Sequence, residues 1–378
     1  VARIVVDART IASSTGRYAE RLLEHLQEVD GENECLVLIR PADIDYWRPS
    51  AKNFSLVEAP FADFSWGEQW GLNKLLKGLS PDLVHFTMPQ YPLLYRGRFV
   101  STIHDTTMLD YDHGKWYDLH YAFRRAVFKQ VFKSAVRRSA HLIVPTNYVR
   151  RRLRERFAVP GNKITVTHEA ADRLGVRSRG SGVRRGKSSS KLLASSSSKF
   201  LLYVGQATPY KNLGRLIDAF ALLSPNYPAL SLVIVGKETR WHKGLRAQAE
   251  AAGFGDRVIF TGFVPDAELV RYYEAAEAYV FPSLSEGFGL PGLEAMLYGC
   301  PVLAAGNGCL PEVYGDDALY FDPISVEDMA TVINRVLSDR TERRKLAAAG
   351  KAKAGEYSWR RLAQQTHAVY ESALRTES

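Results

Sequence analysis

Cysteine is scarce in this chain of 378 residues. The three present, Cys35, Cys300 and Cys309, are an odd number without metal-ligand spacing, which excludes a disulfide framework and a cysteine-built zinc site. A reduced, cytosolic protein with structural thiols is the expectation. Long apolar runs are missing too, since none approaches the roughly 18 residues that a membrane span needs. The alternating segment Arg3-Ile4-Val5-Val6 has no basic-then-apolar leader ahead of it, so neither a signal peptide nor a transmembrane helix is expected. No repeat of solenoid period is visible. The chain does have apolar mass: at 46% hydrophobic and 24% charged, it can fill two domain cores and is too apolar for a disordered protein.

The net charge of +9 is unevenly placed, with 19 Lys/Arg against 4 Asp/Glu between residues 115 and 187. Such a patch suits an anionic membrane surface, a phosphorylated partner or nucleic acid, and it equally suits a plain solvated face. The segment Asn147 to Phe157 starts at a capping residue and carries Arg150, Arg151, Arg152, Arg154 and Arg156, so it reads as a helix exposed over most of its surface.

Hydrophobic period predicts strands near residues 2–8, 34–39, 54–59, 83–86, 99–104, 141–146 and 163–168, several separated by helical patterns. The helix over 16–29 puts Tyr18, Leu22, Leu23 and Leu26 on one stripe. Residues 173–199 turn to Arg, Gly, Lys and Ser, which cannot bury enough apolar area to order themselves, and read as a flexible linker. A second alternation follows, with strands near 200–204, 231–235, 257–261, 278–282, 301–305 and 319–322. This predicts an α/β protein with an N-terminal Rossmann-like domain over 1–172 and a C-terminal one over 200–357, each on a mainly parallel sheet. The helix in 358–378 is expected to pack back on the first domain.

In doubly wound sheets, ligands bind beyond the carboxyl ends of the strands. The residues there are Thr15-Gly16, His104-Asp105, Gly205 with Lys211, and Ser285-Glu286-Gly287. The run Glu286-Gly-Phe-Gly-Leu-Pro-Gly-Leu-Glu294 is a glycine-bearing loop entering a helix at Pro291, where backbone amides make an anion site. Glu294 is expected inside that helix's first turn. Glu286, on the loop, is placed to accept hydrogen bonds from hydroxyl groups, and Lys211 can set a point charge on a diphosphate. His104 can donate to an oxygen, though a histidine at a strand end also serves structure.

Tyr203-Val-Gly-x4-Tyr-Lys211-Asn212, Val258-Ile-Phe-Thr-Gly262-Phe-Val-Pro265, the E-x7-E pair Glu286/Glu294 and Leu310-Pro-Glu-Val313 together resemble glycosyltransferase family four. The resemblance spans nearly the whole chain and is most specific over residues 200–325. It implies a GT-B fold, two facing Rossmann-like domains with an interdomain cleft, and a retaining transfer of a sugar from a nucleotide diphosphate. It further implies that Gly16 and Gly205 let their loops approach the donor and that His104 contacts the donor sugar. Lys211 and the backbone of Gly287, Phe288, Gly289 and Leu290 would neutralise the departing diphosphate. Glu286 would bind sugar hydroxyls, Glu294 the ribose, and the backbone at Phe263 and Val264 the base. Two departures stand out: Gln206 replaces an arginine usual after the strand glycine, and Thr15-Gly16 replaces a Gly-Gly pair. The segment His168-Glu-Ala-Ala-Asp172 matches its counterpart only at the aspartate.

The leaving group's growing charge needs fixed donors, which Lys211 and the 288–290 amides would supply without a metal. The Asp43-Ile-Asp45 and Asp110-Tyr-Asp112 pairs lack the sequence setting of metal-binding glycosyltransferases, so no metal or other cofactor is expected. Asp105 is the nearest candidate for a covalent nucleophile, and same-face attack by the acceptor is favoured instead. GDP-mannose is the expected donor with UDP-sugars next, and a saccharide or lipid-linked saccharide the acceptor. A sugar-nucleotide epimerase or phosphorylase is the rival within the fold. Nucleic-acid binding is set aside because the arginine-rich helix lacks interleaved aromatics and lies outside the E-x7-E domain. The basic patch instead suggests peripheral docking at the cytoplasmic face of an anionic membrane.

Overall fold

The computed structural model describes residues 1–13, 15–111, 119–174 and 199–375. The flexible segment expected over 173–199 falls outside the described residues from 175 to 198. The chain forms two compact units, one of Val1–Glu169 with the segment from Ser358 onward, the other running from Ala170 to Tyr357.

The first unit contains β1 (Arg3–Asp7), α1 (Arg17–Val29), β2 (Glu34–Ile39), β3 (Phe54–Glu58), α2 (Asn73–Leu79), β4 (Leu83–Phe86), β5 (Phe99–Thr102), α3 (Thr107–Asp110), α4 (Leu119–Arg138), β6 (His141–Val144), α5 (Asn147–Phe157) and β7 (Ile164–Val166). The second contains β8 (Lys199–Val204), α6 (Leu213–Leu223), β9 (Leu230–Val235), α7 (His242–Ala251), β10 (Val258–Gly262), α8 (Asp266–Ala275), β11 (Ala278–Phe281), α9 (Leu290–Leu297), β12 (Val302–Ala305), α10 (Leu310–Tyr314), β13 (Leu319–Phe321), α11 (Val326–Ser338) and α12 (Arg340–Ala354). The chain then returns to the first unit with α13 (Trp359–Arg375).

Among the described residues the strands form two parallel sheets, ordered β3-β2-β1-β4-β5-β6-β7 and β10-β9-β8-β11-β12-β13. In both, the order reverses at the first strand, between β1 and β4 and between β8 and β11. That reversal opens a crevice past the strand ends, because the loops leaving the two strands run to opposite sides. Helices cover both faces, so strands such as β4, Leu-Val-His-Phe, are buried throughout instead of alternating.

On one face of the first sheet, Ala19, Leu23 and Leu26 of α1 meet Val369, Tyr370 and Ala373 of α13 over Ile4, Val6 and Val37. The spacing of the α13 residues is that of one helical stripe. Arg98 donates to the carbonyls of Ala373 (3.0 Å) and Leu374 (2.9 Å), holding the end of that helix. On the opposite face, Leu72 and Leu76 pack with Val131 and Ala135 of α4. Helix α5 is capped by Thr146, whose hydroxyl accepts from the Val149 amide, and buries Val149 and Leu153. All three cysteines are buried thiols outside any disulfide. Among the described residues no helix is long and apolar enough to cross a membrane.

Candidate active site

The reversal in the second sheet lies between β8 and β11, and the loops leaving these strands carry Lys211 and Glu286. Their side chains form an ion pair, Nζ to Oε1 2.5 Å, with only 15% and 14% of each exposed. Asn212 makes the pairing possible. It holds a left-handed conformation (φ 60°), and its buried amide donates to the carbonyls of Pro282 (3.0 Å) and Pro323 (2.7 Å), past the ends of β11 and β13. The Leu284 amide donates to the Tyr210 carbonyl (2.8 Å), closing the two loops on each other. Burial alone would lower the pKa of Lys211, but the Glu286 carboxylate, with Tyr203 and Tyr210, lifts it above its ordinary value. Lys211 is therefore a permanent cation. An ammonium has three donors, so it can keep Glu286 and still bond a phosphate.

Gly287, Phe288 and Gly289 are buried, leading into α9 at Leu290. Gly289 has φ 95°, and a Cβ there would stand 2.5 Å from the Tyr314 hydroxyl, which donates to the Gly289 carbonyl. This glycine is thus required from below, by Tyr314, whatever approaches from above. Glu294 is the fifth residue of α9 and not in its first turn. It is buried to 3% exposure and accepts from the Tyr273 hydroxyl at 3.2 Å. Gly205 ends β8 at φ 151°, its amide bonded to the Val235 carbonyl. Past β10, Phe263 is exposed and Val264 buried.

In the first unit, Gly16 precedes α1, and a Cβ there would meet the carbonyls of Ile11 (2.1 Å) and Thr10 (2.3 Å). The loop's own backbone forbids a side chain. His104 follows β5, with Nε2 2.9 Å from the Thr87 carbonyl beyond β4 and Nδ1 3.2 Å from the Glu169 carboxylate beyond β7. Both partners offer acceptors, which favours the ring protonated on both nitrogens. Burial opposes that charge, yet Glu169, the Thr87 carbonyl and Asp105 raise the pKa above its ordinary value. The Asp105 carboxylate accepts from the Thr107 amide at 2.8 Å, which shapes the turn into α3.

Two family models match the chain in sequence. The one described as "Glycosyltransferase Family 4" covers residues 15–173 and "Glycosyl transferases group 1" covers 185–353. The chain belongs to glycosyltransferase family four. Among similar curated proteins, O-antigen chain mannosyltransferase B of Escherichia coli is 36% identical over 172 residues, 45% of either chain. The MMP alpha-(1->4)-mannosyltransferase of Mycolicibacterium hassiacum is 40% identical over 126 residues, 32% of this chain and 31% of that one. The chain thus spans less than half the length of these relatives in alignment. Among solved structures, sucrose-phosphate synthase from Thermosynechococcus elongatus superposes with a TM-score of 0.75 at 20% identity, over 98% of this chain and 99% of that one. Anabaena Alr3699/HepE in complex with UDP and glucose gives 0.71 at 19% identity, over 98% and 100%. These two share the fold.

Of the residues singled out from sequence in this family-four chain, the structure joins Lys211 directly to Glu286. Gly16 and His104 sit at the strand-end rim of the first sheet, in the other unit. Glu169 was passed over in sequence, although it stands in the compared segment His168 to Asp172. Its one signal was a carboxylate just past the end of β7. Tyr314 and Thr87 gave none, because one acts from beneath a loop and the other through its backbone. Of the Asp-x-Asp pairs, Asp45 binds Arg48, Asp110 binds Arg152 and Arg156, and Asp112 lies outside the described residues.

Proposed function

We propose that this protein is a retaining, metal-independent mannosyltransferase that moves mannose from GDP-mannose to a saccharide or lipid-linked saccharide. The observation that carries this reading is the Lys211–Glu286 pair at the β8/β11 reversal, where a ligand of a doubly wound sheet is expected. The mannosyltransferase relatives support mannose as the sugar. As the anomeric C–O bond breaks, its electron pair passes to the diphosphate, whose charge is met by Lys211 and by the N-terminal end of α9. Glu286 accepts from the sugar's hydroxyls while holding Lys211 in place. The acceptor hydroxyl forms the new bond on the face being vacated, and its proton goes to the departing phosphate. Asp105 is not the nucleophile in this reading, since its carboxylate is committed to the Thr107 amide. A mass-spectrometric glycosyl–Asp105 adduct would overturn that step.

The test is a panel of GDP- and UDP-sugars read by thermal shift and by product analysis, on the wild type and on Lys211→Ala and Glu286→Ala. GDP-mannose should stabilise the wild type and neither variant, and product should require an added saccharide. Turnover without an acceptor would instead indicate an epimerase, and phosphate as the required co-substrate a phosphorylase. Stabilisation by a UDP-sugar alone would replace the donor. Silence toward every nucleotide sugar would remove the reading.

A further inference from the structure

The first unit exposes large aromatic side chains on one layer of helices. The helical segment leading into α2 contains a π-helical stretch over Glu68–Leu72. Glu68, Leu72, Asn73 and Leu76 are buried, and Trp66, Trp70, Lys74 and Lys77 face outward, with Trp66 80% and Trp70 62% exposed. Phe64, at φ 57°, packs its ring on Phe128 of α4 at 6.0 Å, and α2 and α4 share one apolar cluster on the same face of the sheet. Helix α4 has six Lys/Arg and no Asp/Glu in its sequence. Its exposed residues include Phe123, 68% exposed, with Arg124, Lys129, Lys133 and Arg137. The carboxylate nearest in sequence to the tryptophans, Glu68, is buried against Arg9 at 2.9 Å.

We propose that the outer face of the α2–α4 layer docks on a bilayer carrying anionic headgroups. Indole rings are amphipathic and settle at the level of the headgroups, while lysine and arginine around them are drawn to anionic phosphates. A neutral sugar chain would stack on the indoles and leave the surrounding cations without a counterpart, so the composition of the face favours lipid. The arginines of α5, also within the basic region of the sequence, are partly committed to the fold. Arg152 and Arg156 bind Asp110, and Arg150 donates to the Gly161 carbonyl.

The test is co-sedimentation of the full chain with vesicles of phosphatidylcholine, alone and with about 30 mol% phosphatidylglycerol. Wild type should bind the anionic vesicles and not the neutral ones. Trp66→Ala/Trp70→Ala and Lys74→Glu/Lys77→Glu should each weaken binding at least about tenfold. The control Arg150→Glu/Arg151→Glu/Arg154→Glu should retain more of it. Trp66, Trp70, Lys74, Lys77, Arg151 and Arg154 are exposed and Arg150 is half-buried, and each variant is to be checked for folding by circular dichroism before its binding is read. Absence of wild-type binding to anionic vesicles would overturn the proposal, as would α2 variants that bind like wild type. Quenching of the exposed tryptophans by a mannose trisaccharide without vesicle binding would identify a sugar platform in its place.

Discussion

His104 is held between a carbonyl and a carboxylate, and both acceptors favour its protonated form. In this geometry both ring nitrogens face protein acceptors. Glu169→Gln removes the charge that raises its pKa, so the His104 resonance in an NMR titration should move to a lower midpoint than in the wild type. An unchanged midpoint would mean that Glu169 does not set it. At Lys211 and Glu286 the two variants should differ in kind. Lys211→Ala leaves a mostly buried carboxylate without its ammonium and should cost about 1–3 kcal/mol in urea unfolding, whereas Glu286→Gln keeps a hydrogen-bond acceptor and should cost less. The strand-end positions of Lys211, Glu286 and His104 were legible in sequence because each follows a short apolar run. Glu169 was not, since its role depends on β7 lying beside β6 and on β5's loop reaching it.

At the scale of elements, the β8–α6 loop depends on Asn212 and the β11–α9 loop on Gly289. Asn212→Asp would set a carboxylate against two carbonyl oxygens in a buried site. We expect a loss of about 2–4 kcal/mol, together with a weaker nucleotide-sugar thermal shift, because Lys211 is the preceding residue. Gly289→Ala adds a Cβ both at positive φ and 2.5 Å from the Tyr314 hydroxyl, and should lower stability by at least about 2 kcal/mol. A Gly289→Ala protein as stable as wild type would show that Tyr314 can swing away. The strands themselves were readable from short apolar runs, and all thirteen strands described lie within two residues of the predicted ranges. Glu294 was expected in the first turn of α9 and falls one residue past it, because the helix starts at Leu290.

For the whole molecule, α13 belongs to the core of the first unit. Its Tyr370 hydroxyl lies 2.6 Å from Nδ1 of the buried His85, whose Nε2 is 2.8 Å from Thr102. Truncation after Tyr357 should cost that unit more than about 5 kcal/mol, comparable with the stability of an ordinary domain. Hydrogen exchange should then show protection lost in β1, β4 and β5 and kept in β8, β9 and β11. The two histidines also give the pH profile opposite slopes. Burial, assisted by the charge of His104, pushes His85 down to about 3, so between there and about 6.5 the unfolded chain binds a proton that the folded one does not. Stability should fall toward acid by up to about 1.4 kcal/mol per pH unit in that window. His104 is raised instead, so its contribution is complete below about 6.5 and is lost as pH climbs through its folded value. Urea titrations across pH should place the optimum near the ordinary histidine range, and His85→Leu should make the acid limb shallower, the rest of it coming in part from His141 and His242, which burial also lowers. What the sequence by itself determined was the alternation of strands and helices, the buried parallel sheets and the loops beyond the strand ends, because these follow from local period. Tertiary structure alone decided the pairing of Lys211 with Glu286, the acceptors that surround His104 and the aromatic face of α2 and α4. Each of these depends on which distant side chains a close-packed core brings within bonding distance and which it leaves in water.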